Sequence, residues 1–254
     1  MKVENYFYGA GVSSFVEIDA TTGRATGRII RVGNADGVKV SMKVERKEKR
    51  ESMSGQNALV RSKVVQVGGE LAVTLSEGRR GNLEMFLFGK TVEQAAVNDY
   101  VMSDAIPNAA EVGSEWLLDH QKVSNLVIKD NAAATVDASK YEYDEVYGTV
   151  KVLASLGTGP FDITYDAEAV KVIPVFQHRG KQYLYRHEGM NTGNDEDEAF
   201  LIEFYKVELD PVSDLDLITD DFGKFELKGT LVADPRRASD PNFGKFGRHV
   251  DLTD

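Results

Sequence analysis

Several residue groups could do chemistry, but each lacks part of the pattern that its chemistry needs. Gly89-Lys90-Thr91 matches the end of a phosphate-binding loop, yet Glu84 stands where the loop needs its first glycine. Gly11-Val12-Ser13-Ser14-Phe15 places a serine among small residues but lacks the second glycine of a nucleophile elbow. These patterns favour a helix that ends at Gly89 and a flexible arm that leads into a first strand.

The histidines and the acidic residues do not indicate a metal site. The acidic run 191–198 offers many oxygen ligands, but they lack the regular spacing of a calcium loop. His178 and His187 flank a predicted hairpin around Gly180 and could approach one another. No metal-binding spacing links any of the four histidines, which are His120, His178, His187 and His249. The sequence has no cysteine, which excludes disulfides and thiolate metal sites. We predict no metal and no cofactor.

A carbohydrate-active enzyme of the β class is the enzymatic alternative. Such an enzyme needs two carboxylates that face a cleft lined with aromatic side chains. The sequence has a single tryptophan, Trp116, and no carboxylate pair in a suggestive setting. We therefore predict that the protein is not an enzyme.

The most informative segment is a run of charges of both signs at residues 43–51. It follows an alternating strand, Val38 to Val44, and leads through a polar turn into a second strand at residues 58–67. This order predicts a long hairpin, about Val44 to Ala58, that extends beyond the core. Mixed charges suit a contact that sets the register with a neighbouring subunit, and a solvated hairpin is the alternative. The predicted contact residues are Lys43, Glu45, Arg46, Lys47, Glu48, Lys49, Arg50, Glu51, Ser54, Gln56 and Asn57.

Short runs of period-two alternation dominate the rest of the sequence and predict a mainly β fold, a sandwich or barrel. Asn82 to Gly89 is the exception: it predicts a short helix that Asn82 caps and that packs on a sheet through Leu83, Met85, Phe86 and Leu87. A second short helix is predicted at 92–97. Composition shifts predict a core of residues 1–106 plus 197–254, an inserted β lobe or second β domain at 107–196, and an irregular arm in the last twenty residues.

The composition is that of a folded protein, because 42% of the 254 residues are hydrophobic and 28% are charged. The net charge of −11 disfavours tight binding to nucleic acid. The first residues do not have the pattern of a signal peptide, and no run of about 18 apolar residues predicts a membrane span. We expect a protein that is made in the cytoplasm and does not bind membranes.

Several segments, taken in order, resemble the tail-tube proteins of long-tailed bacteriophages of the siphophage type. The resemblance covers roughly residues 12–105 and 199–235. It rests on Gly27-Arg28-Ile29-Ile30-Arg31-Val32-Gly33-Asn34, the charged hairpin, Gly69-Glu70-Leu71-Ala72-Val73-Thr74-Leu75, the segment Asn82 to Gly89, and Ile202 to Pro211 followed by Phe222 to Asp234.

The resemblance implies a structural virion protein that self-assembles. Six subunits would form a ring, rings would stack into a hollow tube, and the sheets of adjacent subunits would join around the lumen. The hairpin would touch the next ring, tail-tip and terminator proteins would be further partners, and genomic DNA would pass through the lumen without specific binding. Another non-enzymatic virion protein, such as a capsid decoration or baseplate component, is the alternative.

Overall fold

The computed structural model describes residues 6–19, 21–53, 55–108, 110–193, 197–212, 214–220, 223–237 and 240–253. The fold is mainly β, as the alternation predicts. In chain order the elements are β1 (Gly9–Ile18), β2 (Ala25–Arg31), β3 (Ala35–Arg50), β4 (Leu59–Leu75), α1 (Arg80–Phe86), β5 (Val92–Gln94), β6 (Val97–Ile106), β7 (Glu115–Leu117), β8 (Val123–Lys129), a 3-10 turn (Ala138–Lys140), β9 (Tyr141–Asp144), β10 (Thr149–Val152), β11 (Phe161–Ala167), β12 (Val170–Val172), β13 (Gln182–Asn191), β14 (Glu198–Leu209), β15 (Phe225–Leu231) and β16 (Gly247–Asp251).

The described residues divide into two compact units. One contains the residues up to Lys90 and from Ile173 onward, and we name it the body unit; the other, Thr91–Val172, is the inserted unit. These bounds differ from the predicted insertion at 107–196. Strand β6 lies in the inserted unit because it pairs with β11, and β13 lies in the body unit because it pairs with β1 and β14.

The body unit is built on one eight-stranded antiparallel sheet. Its strand order is β2-β1-β13-β14-β15-β4-β3, and β16 pairs with β14 beside this path. One edge of β14 is shared, because residues 200–204 pair with β16 and residues 207–209 pair with β15. Strands β2 and β3 are therefore the two outer strands of the path.

A single core holds both halves of this sheet together. Phe15 of β1 and Tyr185 of β13 contribute to the same cluster as Leu71 of β4 and Leu227 of β15, so the sheet curves around its core. The alternating burial of Leu71, Val73 and Leu75 confirms the period-two pattern of that strand. Helix α1 closes the core with the buried side chains of Met85 and Phe86.

The inserted unit has a separate core. Two three-stranded antiparallel sheets, β7-β10-β9 and β6-β11-β8, both contribute side chains to it, as in a β-sandwich. Val150 comes from the first sheet, and Ile128, Ile163 and Tyr165 come from the second. A further pair, β12 with β5, joins the two ends of this unit.

Helix α1 differs from the prediction at both ends. Asn82 lies inside the helix rather than at its cap, and its buried amide donates hydrogen bonds to the carbonyl oxygens of Val32 (2.9 Å) and Glu77 (3.0 Å). The left-handed residue after the helix is Phe88, with φ of 49°, and not Gly89. Tertiary hydrogen bonds thus replace the capping bond that the sequence predicts.

Other local predictions were wrong. Residues 92–97 form strands rather than a helix, because β5 pairs with β12 across the inserted unit. The last twenty residues are not wholly irregular, because β16 pairs with β14. His178 precedes β13 and donates its backbone N–H to the Phe88 oxygen (3.0 Å), so no hairpin turns at Gly180.

Candidate assembly surface

The predicted hairpin is the longest paired feature of the chain. Strands β3 and β4, of 16 and 17 residues, stay paired from Ala35 opposite Leu75 to Arg50 opposite Leu59. The turn is closed by the Glu51 N–H, which donates to the Ala58 oxygen at 2.9 Å. Of the predicted contact residues, Ser54 lies outside the described residues.

The described contact residues at the tip are solvent-exposed, apart from Glu51, which is half-buried. Asn57 is left-handed, with φ of 53°, and its oxygen accepts a hydrogen bond from Arg50 Nη1 at 3.3 Å. Arg50 also forms an ion pair with Glu48 at 3.2 Å. Met53 is 95% exposed, so the tip presents an apolar side chain beside these charges.

The register gives the hairpin two chemically different faces. Val44 lies opposite Val67, and a β-bulge at Val65 then places Val64 opposite Arg46. Directly opposite residues of an antiparallel pair point to the same face. One face, which we name the apolar face, therefore continues outward from buried Leu71. Its exposed apolar members are 37–60% accessible: Val38, Val40, Met42, Val44, Leu59, Val64 and Val67. Toward the tip the same face also carries Arg46, Glu48, Arg50 and Ser62.

The opposite side, which we name the cationic face, carries mostly basic side chains. They are Lys39, Lys43, Lys47, Lys49, Arg61 and Lys63. Two pairs of like charges stand directly opposite, Lys47 with Lys63 and Lys49 with Arg61. Like charges in that position destabilise a hairpin. Lys43 forms an ion pair with Glu70. Within the described residues, the members of the two like-charged pairs form no ion pair.

The apolar face also borders a groove near the base of the hairpin. Val38 and Val40 line it on one side, and Phe7, Phe200 and Ile202 line it on the other; its volume is about 310 Å³. Strand β3 is moreover an outer strand of the sheet path, so its free edge presents backbone groups that can pair with another strand. Exposed apolar side chains, a groove and an open edge thus coincide.

Buried carboxylates form hydrogen bonds and ion pairs that connect β14, the central strand of the body sheet, to its surroundings. The Glu203 carboxylate accepts hydrogen bonds from Arg186 Nη1 (3.1 Å) and Arg248 Nε (2.8 Å), which joins β13, β14 and β16. Asp234 accepts from Arg236 Nε at 3.1 Å, and Lys206 lies 3.8 Å away. Burial alone would raise the pKa of Asp234, but the hydrogen bonds and charge of Arg236 and the charge of Lys206 leave that pKa below its ordinary value.

Ser13 is the one predicted nucleophile candidate that the structure places beside a histidine. Its Oγ lies 3.0 Å from His187 Nδ1 and 2.8 Å from the Tyr185 hydroxyl. Burial lowers the pKa of His187 and raises the pKa of Tyr185 to about 12. Ser13 is only 1% exposed, and Ser13, Tyr185 and His187 contribute to the lining of the same groove as Val38 and Phe200. The two hydrogen bonds satisfy the polar groups of these three side chains.

The chain is similar in sequence to one protein family over nearly its whole length. A family model described as "Protein of unknown function UCP028589" matches residues 6–250. The chain belongs to this family. The matched range includes all of the inserted unit, so both units are part of the family's sequence. A search of curated proteins finds no match.

Within the described part of the chain, no group of three or more histidine or acidic side chains is placed to hold a metal ion. No described helix is long and apolar enough to cross a membrane.

The structure separates the two groups of predicted site residues. The hairpin residues lie together on an exposed arm, whereas the helix residues are structural: Met85 and Phe86 are each 1% exposed, and the Phe86 ring lies 5.5 Å from that of Phe225. Leu83 and Leu87 are half-buried. Sequence reasoning missed the contribution of β4, above all Arg61 and Lys63. The alternation within residues 59–67 indicates a strand, but the sequence does not reveal the bulge at Val65, which decides the face on which each residue lies.

Proposed function

We propose that this chain is the tail-tube protein of a long-tailed bacteriophage, a structural subunit without enzymatic activity. The hairpin carries the proposal, because the outer part of β3 and β4 is exposed on both faces and one face presents exposed apolar side chains. An isolated two-stranded hairpin is marginally stable in water. An arm of this length gains stability when another molecule covers it, and a neighbouring copy of the chain is the partner that the tube arrangement supplies.

Open sheet edges support ring formation. Strands β2 and β3 end the strand path of the body sheet, so each offers an edge to a neighbouring subunit. Different surfaces on the two sides of a subunit make head-to-tail contacts, which close into a ring when the rotation permits. Six subunits per ring, with rings stacked into a hollow tube, is the arrangement that the sequence resemblance implies.

The charge of the chain is compatible with DNA passing through such a tube. A net charge of −11 repels phosphate groups, so DNA would move through the lumen without specific binding. The proposed partners are copies of this chain, the tail-tip and terminator proteins, and the DNA in transit. The proposed location is the virion tail, after synthesis in the host cytoplasm.

Shortening the hairpin tests the proposal. Replacing residues 46–65 with Asn-Gly joins the opposed pair Glu45 and Gln66 through a two-residue turn. The shortened chain should keep the body fold, because the replaced residues lie outside its core. It should lose the large assemblies that the full chain is expected to form in sedimentation velocity. Urea unfolding of both chains controls for the fold.

Two outcomes would contradict the proposal. Assemblies of equal size with and without the hairpin would remove the arm from the assembly mechanism. A full chain that forms only small closed oligomers would favour a capsid decoration or baseplate component.

A further inference from the structure

The charge of the chain is divided unevenly between the hairpin arm and the rest. Residues 43–67 contain seven basic and three acidic side chains, a net charge of +4, whereas the whole chain carries −11. All other residues together therefore carry −15. A cationic arm on an anionic chain is complementary to the remainder of another copy.

One exposed segment of the body unit is both acidic and apolar. Residues 214–220 contain three aspartates and no basic residue. Between two of the aspartates, Asp216 and Asp220, Leu217 is 86% exposed and Ile218 is 94% exposed. The charge of Asp214 contributes to raising the pKa of Lys228 in its own chain. Asp216 and Asp220 are therefore the better candidates for a contact between chains.

We infer that the cationic face of the hairpin in one copy binds segment 214–220 of a second copy. The inference rests on the proposed assembly and names the two surfaces that meet. Carboxylates placed beside Lys47 and Lys63, or beside Lys49 and Arg61, would relieve the repulsion that each like-charged pair creates in the free chain.

Protein is favoured over nucleic acid as the occupant of the cationic face. The arm carries acidic residues among its basic ones, with Glu45 and Glu70 on the same face as the lysines. The charge of −15 on the rest of the chain would repel a phosphate backbone that approached the arm.

A reciprocal charge exchange tests the inference. One variant, Lys47→Glu with Lys63→Glu, keeps a like-charged pair and so leaves the repulsion within the hairpin unchanged. A second variant, Asp216→Lys with Asp220→Lys, reverses the acidic segment. A third combines all four substitutions and restores complementarity with both signs exchanged. A control, Glu111→Lys with Glu145→Lys, makes the same charge change as the second variant at exposed positions of the inserted unit.

Sedimentation velocity at low salt should show that each double variant associates at least about tenfold more weakly than the unmodified chain, as expected for lost charge complementarity. The fourfold variant should regain the association, and the control should keep it. Association of the unmodified chain should also weaken as salt is added, because salt screens exposed charges.

Three results would overturn the inference. The first is a fourfold variant that associates no better than the double variants. The second is an unmodified chain that remains monomeric at about 1 mM, a concentration at which even a millimolar Kd is detected. The third is a hairpin variant that loses binding to a labelled single-stranded DNA while its self-association is unchanged. Tubes that form regardless of the charge reversals would contradict this inference and leave the proposed function standing. Small closed oligomers that respond to the charge reversals would support this inference and contradict the proposed function.

Discussion

At the scale of residues, the buried charges of the body unit hold strands together. Glu203 is 7% exposed and Asp234 is 2% exposed, and both carboxylates are surrounded by basic side chains. Arg237 adds to this cluster, because its guanidinium carbon lies 4.1 Å from the centre of the Tyr205 ring. Removing either carboxylate takes the hydrogen-bond or ion-pair partner from several basic side chains, which are partly exposed at 18–44%.

Replacing Asp234 with asparagine should therefore destabilise the body unit by about 1–3 kcal/mol near pH 7. The pKa of Asp234 is lowered from 3.8 in the folded chain, so its stabilising effect is present above that value and is lost as the pH falls through the folded pKa. Urea unfolding should show a smaller difference between the variant and the unmodified chain at about pH 3 than at about pH 7. Glu145→Gln, at an exposed position of the inserted unit, is the control. An equal difference at both pH values would contradict this role of Asp234.

At the scale of elements, β4 shows how one strand can change its environment along its length. Leu71, Val73 and Leu75 are buried in the core, whereas Val64 and Val67 are 42% and 51% exposed. The inner part gains from core burial, and the outer part lacks it in the single chain. The hairpin should therefore be much less stable at its outer end than at its base.

Hydrogen exchange of the free chain tests that difference. Amides of residues 44–58 should exchange rapidly through local opening, while amides of residues 71–75 should be protected as part of the core. Assembly should slow exchange in the hairpin, because a neighbouring copy covers it. Strong protection of residues 44–58 in the monomer would contradict the expected mobility of the free arm.

The elements that the sequence predicts are those set by local pattern. Alternation predicts the strands and the charged hairpin, because a period of two survives in any β context. It does not predict the inserted unit's bounds, since β6 pairs with β11 about 60 residues later. It also does not predict the cationic face, because the bulge at Val65 decides that Lys63 stands opposite Lys47. Asn82 was misplaced as a cap for the same reason: its partner Val32 is distant in sequence.

At the scale of the whole molecule, two folded units serve one proposed assembly. The body unit carries the hairpin, both outer strands of the sheet path and the acidic segment 214–220, so the surfaces assigned to assembly all belong to it. The inserted unit has its own core, and its sequence lies within the range that the family model matches. Contacts that join different surfaces of identical subunits can extend without limit along one axis.

Electron microscopy of the purified, concentrated chain tests the central claim most directly. A subunit that joins its neighbours through the hairpin and the open sheet edges should form hollow tubes or stacked rings, and the hairpin-shortened chain should form neither. Discrete closed oligomers that never stack, seen for the full chain over the same range of concentration, would contradict the account.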